Sequence, residues 1–269
     1  MRRFLSTAAG SATKTAKKTI TIGREFQGSK SGDFHLVGQP DYRVFVTANG
    51  KRISPWHDLP AFPLNDGSRE GKYLISMVNE IPRGTTAKME IATKEAGNPI
   101  KQDVKKEKLR NYPFASLVNY GAIPQTWENP NIEALPGLKG DNDPVDVCDV
   151  GGPVLECGQV VVAKVLGILG MVDEGEMDWK VIAINRDDPR SEYINTIQDV
   201  ERVMPGKING IVAWFKQYKV PDGKPLNTFA FDDQAKDADY AMDIIKKTHE
   251  HWKDQKALAD KGLWFEGKK

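Results

Sequence analysis

Cysteine is scarce in this 269-residue chain: only Cys148 and Cys157 occur, a pair that fits neither a disulfide framework nor a zinc knuckle. Both read as reduced packing residues. Long apolar runs are missing too. The longest apolar stretch, Val160 to Val172, is broken by Lys164 and glycines and falls short of the roughly 18 residues a membrane span needs. A soluble chain with no membrane partner is expected. The four histidines, His35, His57, His249 and His251, form no ligand set, and His249 and His251 point in different directions on a predicted helix, in solvent-facing or capping roles. Neither a Walker A loop nor a GxGxxG turn is present, which removes the common nucleotide-phosphate cradles.

Acidic residues are absent from one region. Residues 1–24 hold Arg2, Arg3, Lys14, Lys17, Lys18 and Arg24 among seven Ser or Thr, with no Asp or Glu. A secretory signal would need a longer apolar centre, so this composition fits a transit peptide to the mitochondrial matrix or plastid stroma, with a disordered cytoplasmic tail as the alternative. The remainder, 25–269, carries 32 of the 38 basic residues against all 37 acidic ones and is therefore net acidic. Its lysines are interleaved with acids rather than gathered in a stripe, which argues against a nucleic-acid partner. With 39% apolar and 28% charged residues, and no repeat or low-complexity linker, this body is expected to be one domain.

Strand character runs through Tyr42–Val46, Lys51–Ile53 after an Asn49-Gly50 turn, Tyr73–Ile81, Ala87–Ala92, Gln159–Ile168 and Trp179–Ile184. Short separated strands of this kind suggest a small closed or partly closed barrel. Helical periodicity comes later. Ile208, Ile211, Val212 and Phe215 share one face of a segment ended by Pro221 and Gly223, and a second helix is predicted over Ala238–Lys256. The fold class is α+β.

The most informative segment is Gly140-Asp141-Asn142-Asp143-Pro144-Val145-Asp146-Val147. Three carboxylates so close raise one another's pKa, and a hard, oxygen-seeking divalent cation is the economical way to hold them together. An EF-hand loop is rejected, since its sixth position is Asp146 rather than Gly and its twelfth is Gly152 rather than Glu. A dehalogenase-type aspartate or a transferase DxD normally follows an apolar strand, whereas Leu135-Pro136-Gly137-Leu138-Lys139-Gly140 reads as a turn.

This segment resembles the signature of soluble family I inorganic pyrophosphatases. Three further stretches agree in order: Asn119 to Glu128, Val172 to Lys180, and Trp214 to Pro225. Together they are more similar to the fungal and animal branch than to the bacterial one. The resemblance implies a five-stranded, OB-like β-barrel with flanking helices, a homodimer, and magnesium-dependent hydrolysis of pyrophosphate to two phosphates by direct attack of a metal-activated water. Transferred residue by residue, it implies Asp141, Asp146 and Asp178 at the tighter metal site. Asp173 and Glu90, with Asp178 shared, would serve the metals arriving with substrate, and Asp143 would orient and deprotonate the water. Phosphate oxygens would fall to Lys88, Arg110, Tyr120, Lys180, Tyr218 and Lys219, while Glu80 and Glu128 would support from behind.

Strand spacing independently places Lys88 beside Glu90 and Asp178 beside Lys180, because residues two apart on a strand share a face. One position departs from the resemblance. Ser116 stands where the family carries a tyrosine four residues before Tyr120, so a phenol is missing unless Tyr112 reaches the site. The competing readings are a transferase or phosphatase acting on nucleotide-linked diphosphates, and an oligonucleotide-binding barrel with an incidental acidic loop. The first lacks a nucleoside pocket signal, and the second a basic aromatic face.

Overall fold

A computed structural model describes residues 2–4, 20–28, 38–63 and 71–266. The described residues begin with β1 (Arg2–Phe4), β2 (Ile20–Gln27), β3 (Arg43–Ala48) and β4 (Lys51–Ile53). After β5 (Leu74–Ile81) come β6 (Met89–Ile91), β7 (Ile100–Gln102), β8 (Val104–Lys105) and β9 (Lys108–Leu109). The signature region supplies β10 (Asn119–Ala122), β11 (Glu133–Leu135), β12 (Leu138–Gly140) and β13 (Asp146–Asp149). Two long strands follow, β14 (Val160–Asp173) and β15 (Glu176–Asn185). The helices are α1 (Ile197–Val203), α2 (Lys207–Gln217), α3 (Ala238–Trp252) and α4 (Gln255–Asp260), with short β16 (Thr228–Phe229) and β17 (Lys236–Asp237) between α2 and α3.

One sheet runs β1-β2-β3-β7-β6, with β4 also on β3. The larger sheet runs β11-β12-β15-β13-β10-β5-β14-β16, and an added β14–β15 pairing closes β5, β10, β13, β15 and β14 into a cycle. Every residue of β5 is buried, and β15 is buried from Met177 onward, so the polar residues they carry, Glu80 on β5 and Asp178 and Lys180 on β15 among them, lie inside the protein. Gly121 lets β10 lie against β5: a Cβ there would overlap the Val78 carbonyl.

Helix α2 buries Ile208, Ile211, Val212 and Phe215, the face its spacing predicts. Helix α3 starts where the Asp237 carboxylate accepts the Tyr240 N–H, and it buries Ala241, Met242, Ile244 and Ile245.

Several sequence expectations need correction. The second helix stops at Trp252, and Asp254 caps a separate α4. The strand expected over Gln159–Ile168 continues to Asp173, through Gly167 and Gly170, whose low strand preference hides the extension. The turn expected before Asp141 is a hairpin, β11 to β12, that ends in strand at Gly140. Residues assigned to the basic leader mostly lie outside the described residues, but Arg2–Phe4 form β1, which pairs with Ile20–Ile22 of β2, and Ile22–Arg24 of β2 pair with β3. His249 and His251 are half-buried rather than solvent-facing, and His249 Nδ1 lies 2.7 Å from the Gln125 carbonyl oxygen. His35 lies outside the described residues.

Candidate active site

Strand register assembles the site. Parallel pairing of β13 with β15 sets Asp146 opposite Lys180, and antiparallel pairing of β10 with β13 sets Ala122 opposite Asp146. Tyr120, two residues from Ala122, therefore faces the same way as Asp146. Its hydroxyl donates to the Asp146 carboxylate, while Lys180 Nζ donates to Tyr120 at 2.8 Å, to Asp146 at 2.6 Å and to both Asp178 oxygens at 2.6 Å. On the far wall the end of α2 delivers Tyr218 and Lys219 to Asp173. The ammonium lies 2.5 Å from both carboxylate oxygens and the phenol 3.1 Å from one.

A third wall comes from the β6–β9 region. The Lys88 N–H donates to the Arg110 carbonyl, the Asp103 N–H to that of Lys88 and the Arg110 N–H to that of Asp103, a ring of backbone bonds that clusters three charged side chains. Lys88 Nζ then donates to Glu90 at 2.6 Å and to Asp103 at 3.0 Å, and Arg110 donates to the same Asp103 oxygen at 2.5 Å.

These walls enclose a cleft of about 460 Å³. All the residues singled out from the sequence line it except Glu128, which lies just beneath the acidic loop. Seven carboxylates and six cations face the space, so the protein's own charges nearly cancel there. A densely anionic ligand would need positive charge beyond what the chain supplies.

Burial and mutual repulsion act together on the carboxylates. Asp141 is held well above its ordinary value by burial, then by Asp178 and Asp143. Asp178 is pushed up to about 7, burial and Asp146 outweighing the Lys180 ammonium. Desolvation by the cleft walls, then Glu90, pushes Asp143 up to about 7, although water still reaches it from the cleft mouth. Burial, then Asp146, raises Glu80, whose carboxylate accepts the Ile91 N–H at 2.6 Å. Burial alone would lower Lys88 and Lys180, but Glu90 in the first case and Asp146 with Asp178 in the second hold both ammonium groups firmly charged.

The donor set suits a hard divalent metal. Oxygens of Glu128, Asp141 and Asp178 lie within 4.8 Å of one another, and Glu128 Oε2 is buried without a hydrogen-bond partner. Only oxygen donors converge there, which favours magnesium- or manganese-like ions over thiophilic ones.

A family model described as inorganic pyrophosphatase matches residues 77–253. The chain belongs to the soluble family I inorganic pyrophosphatases. Human inorganic pyrophosphatase is 54% identical over 220 residues, 79% of this chain and 74% of the human protein. An Arabidopsis thaliana protein named soluble inorganic pyrophosphatase 6, chloroplastic, is 47% identical over 215 residues, 79% of this chain and 69% of that protein. The solved inorganic pyrophosphatase structure from Schistosoma japonicum superposes with a TM-score of 0.79 at 47% identity, covering 87% of this chain and 80% of that one.

Within this pyrophosphatase cleft, two residues escaped the sequence argument in whole or in part. Asp103 was not singled out, because it lies 15 residues from Lys88 and joins it only through the backbone ring. No local spacing signals it. Tyr112 was an open question, and it does line the cleft, packed edge-on against Trp214 and Tyr218 at 4.8 and 5.5 Å between ring centroids. Ser116 is buried and turns its hydroxyl to the Val118 carbonyl at 2.7 Å, away from any such role.

Proposed function

We propose that this chain hydrolyses inorganic pyrophosphate to two phosphates in a magnesium-dependent reaction, without a covalent enzyme intermediate. The observation that carries the reading is the cleft itself, in which convergent carboxylates are interleaved with cations on three walls. Asp141, Asp146 and Asp178 would hold the tighter magnesium, with Asp173 and Glu90 serving further ions. Bound magnesium would neutralise phosphate oxygens and make water acidic enough to react near neutral pH. Asp143, accessible at the cleft mouth, would receive the proton of the attacking water. Arg110 offers a planar fork to one phosphate, while Lys88, Lys180 and Lys219 supply compact charges that follow an oxygen as it leaves. Tyr120 and Tyr218 add hydroxyl donors, and Glu80 fixes the wall behind through Ile91.

Phosphate release from pyrophosphate, ATP, a nucleotide sugar and an aryl phosphate, each with and without magnesium, tests this. Pyrophosphate should dominate and require the metal. Preference for the aryl phosphate or a nucleotide would overturn the assignment.

The same reading takes residues 25–269 as one catalytic domain built on an OB-like barrel, supported by the five-strand cycle, and takes the enzyme as a homodimer on family resemblance. The basic leader ahead of β2 is read as a transit peptide to mitochondrion or plastid, supported by its acid-free composition and by the chloroplastic name of the Arabidopsis relative, with Ile20–Arg24 assigned to the folded sheet. A purely cytoplasmic signal from a full-length fluorescent fusion would remove the organellar part, and sedimentation at micromolar protein tests the dimer.

A further inference from the structure

Three phenols line the cleft, and their hydroxyls are not alike. The Tyr120 hydroxyl donates to the Asp146 carboxylate, and that of Tyr218 lies 3.1 Å from Asp173 Oδ2, so each already has an acid to receive its proton. The Tyr112 hydroxyl has no hydrogen-bond partner among the described residues, and it opens on the cleft instead of being sealed away like the orphan Ser76 Oγ. Backbone and packing hold it there. Asn111 bridges to Ala87, and the Tyr112 N–H donates to the Thr86 carbonyl at 2.7 Å, which ties the residue to the wall that carries Lys88. Pro113 follows and restricts Tyr112 to extended backbone. Its ring meets Trp214 and Tyr218 edge-on, and the Trp214 indole is itself fixed by donating to the Ala115 carbonyl at 3.1 Å. A side chain packed in this way cannot swing its hydroxyl elsewhere without opening the contact with α2.

Of the charges that act most strongly on this phenol, Lys88, Lys180 and Arg110 are cations, and the acid Asp146 already receives the Tyr120 and Lys180 protons. Burial holds the Tyr112 phenol above its ordinary pKa, so it stays protonated and can donate. Ammonium and guanidinium groups only donate, and none of the three cations can accept its proton. An anionic oxygen drawn in by those same cations can. We propose that Tyr112 is a substrate-binding residue, its hydroxyl donating to a non-bridging oxygen of the phosphate that sits on the Lys88 and Arg110 wall. This rests on the pyrophosphatase reading of the cleft and adds to it a donor that none of the sequence motifs supplied. The donor is neutral and its ring is already immobilised, so little freedom is lost when the ligand arrives.

Tyr112→Phe tests this, because it keeps the ring and its edge-on contacts and removes only the hydroxyl. Its melting temperature should match that of the unsubstituted chain. Its KM for pyrophosphate should rise about tenfold, the scale for losing a hydrogen bond to a charged group, with a smaller change in kcat. Methylenediphosphonate keeps the non-bridging oxygens and is not hydrolysed, so with magnesium it should inhibit the variant about tenfold more weakly as well. Crystals of the full chain soaked with magnesium and methylenediphosphonate should place Tyr112 Oη about 2.5–2.7 Å from a phosphonate oxygen. Unchanged KM and inhibitor affinity in Tyr112→Phe overturn the proposal and leave the hydrolytic reading standing. A soaked crystal in which the hydroxyl meets only water does the same. So does a loss of affinity that comes with a lower melting temperature, since the residue would then act through packing. Failure of the unsubstituted chain to hydrolyse pyrophosphate overturns both readings.

Discussion

Asp103 Oδ2 lies 2.5 Å from Arg110 Nη1 and 3.0 Å from Lys88 Nζ, so one carboxylate oxygen sets the positions of two cations on the same cleft wall. Burial works against its charge, yet the two cations outweigh it and hold Asp103 below the usual carboxylate range. Asp103→Asn keeps the size and loses the charge that aims both partners. Its KM for pyrophosphate should rise by about tenfold, roughly 1.4 kcal/mol of binding, with a smaller change in kcat. A fall in KM would mean that Asp103 competes with the substrate for these cations instead of positioning them.

Asp143 and its neighbours should fail differently on substitution. Asp143→Asn should cost on the order of a hundredfold in turnover, the scale for removing a positioned general base, while keeping most metal affinity. Asp141→Asn and Asp146→Asn should lose magnesium affinity first and regain activity as magnesium is raised. Because Asp143 is pushed up to about 7, activity limited by its free carboxylate should climb with pH toward and through that region, with bound metal moving the limb lower. In Asp143→Asn this limb should vanish from the profile of kcat/KM against pH. Full magnesium rescue of Asp143→Asn would make Asp143 another ligand.

Much of the site was legible because the motifs place their own chemistry. The Asp178–Lys180 and Lys88–Glu90 pairs follow from period-2 geometry, and the α2 face from its 3.6-residue period. What could not be read is the work of tertiary register. β10 and β13 are four residues each and hold Asn, Gly and Asp, which weaken any strand signal, so the Tyr120–Asp146–Lys180 triangle was not visible. The Asp103 ring joins residues far apart in sequence, and the orphan oxygen of Glu128 exists only once β15 lays Trp179 against it. The cycle of strand pairings likewise depends on β14 reaching β15 and β5 together.

Gly140 should be intolerant of any side chain. A Cβ there would strike the Glu128 carbonyl group, and the backbone can yield only by lifting the acidic loop from Glu128. Gly140→Ala should therefore cost about 1–3 kcal/mol in denaturant unfolding, the usual range for overpacking, and weaken magnesium binding as well. Native stability together with native metal affinity would show that the loop and Glu128 move independently.

His57 should set part of the pH dependence of stability. Its Nδ1 accepts the Trp252 indole N–H at 2.8 Å, and its Nε2 lies 2.8 Å from the Trp264 carbonyl, so the folded ring is neutral with its proton on Nε2. Trp264 is tied in turn to the cleft rim, its N–H donating to the Thr93 carbonyl at 2.8 Å. Burial lowers the His57 pKa from 6.5, against smaller opposing effects of the Trp264 carbonyl and Asp58. A base depressed in the folded state binds fewer protons folded than unfolded, so its contribution is fully present above 6.5 and is lost as pH falls toward the folded value. The melting temperature should accordingly drop on moving from neutral to mildly acidic pH. His57→Gln can present an acceptor to Trp252 and an N–H to Trp264 but cannot titrate, so its drop should be smaller over the same interval. What remains should trace in part to His251, which burial also depresses, and should shrink further in the double variant. Equal drops in the unsubstituted protein and His57→Gln would show that His57 binds its proton equally well folded and unfolded and contributes nothing to the acid limb.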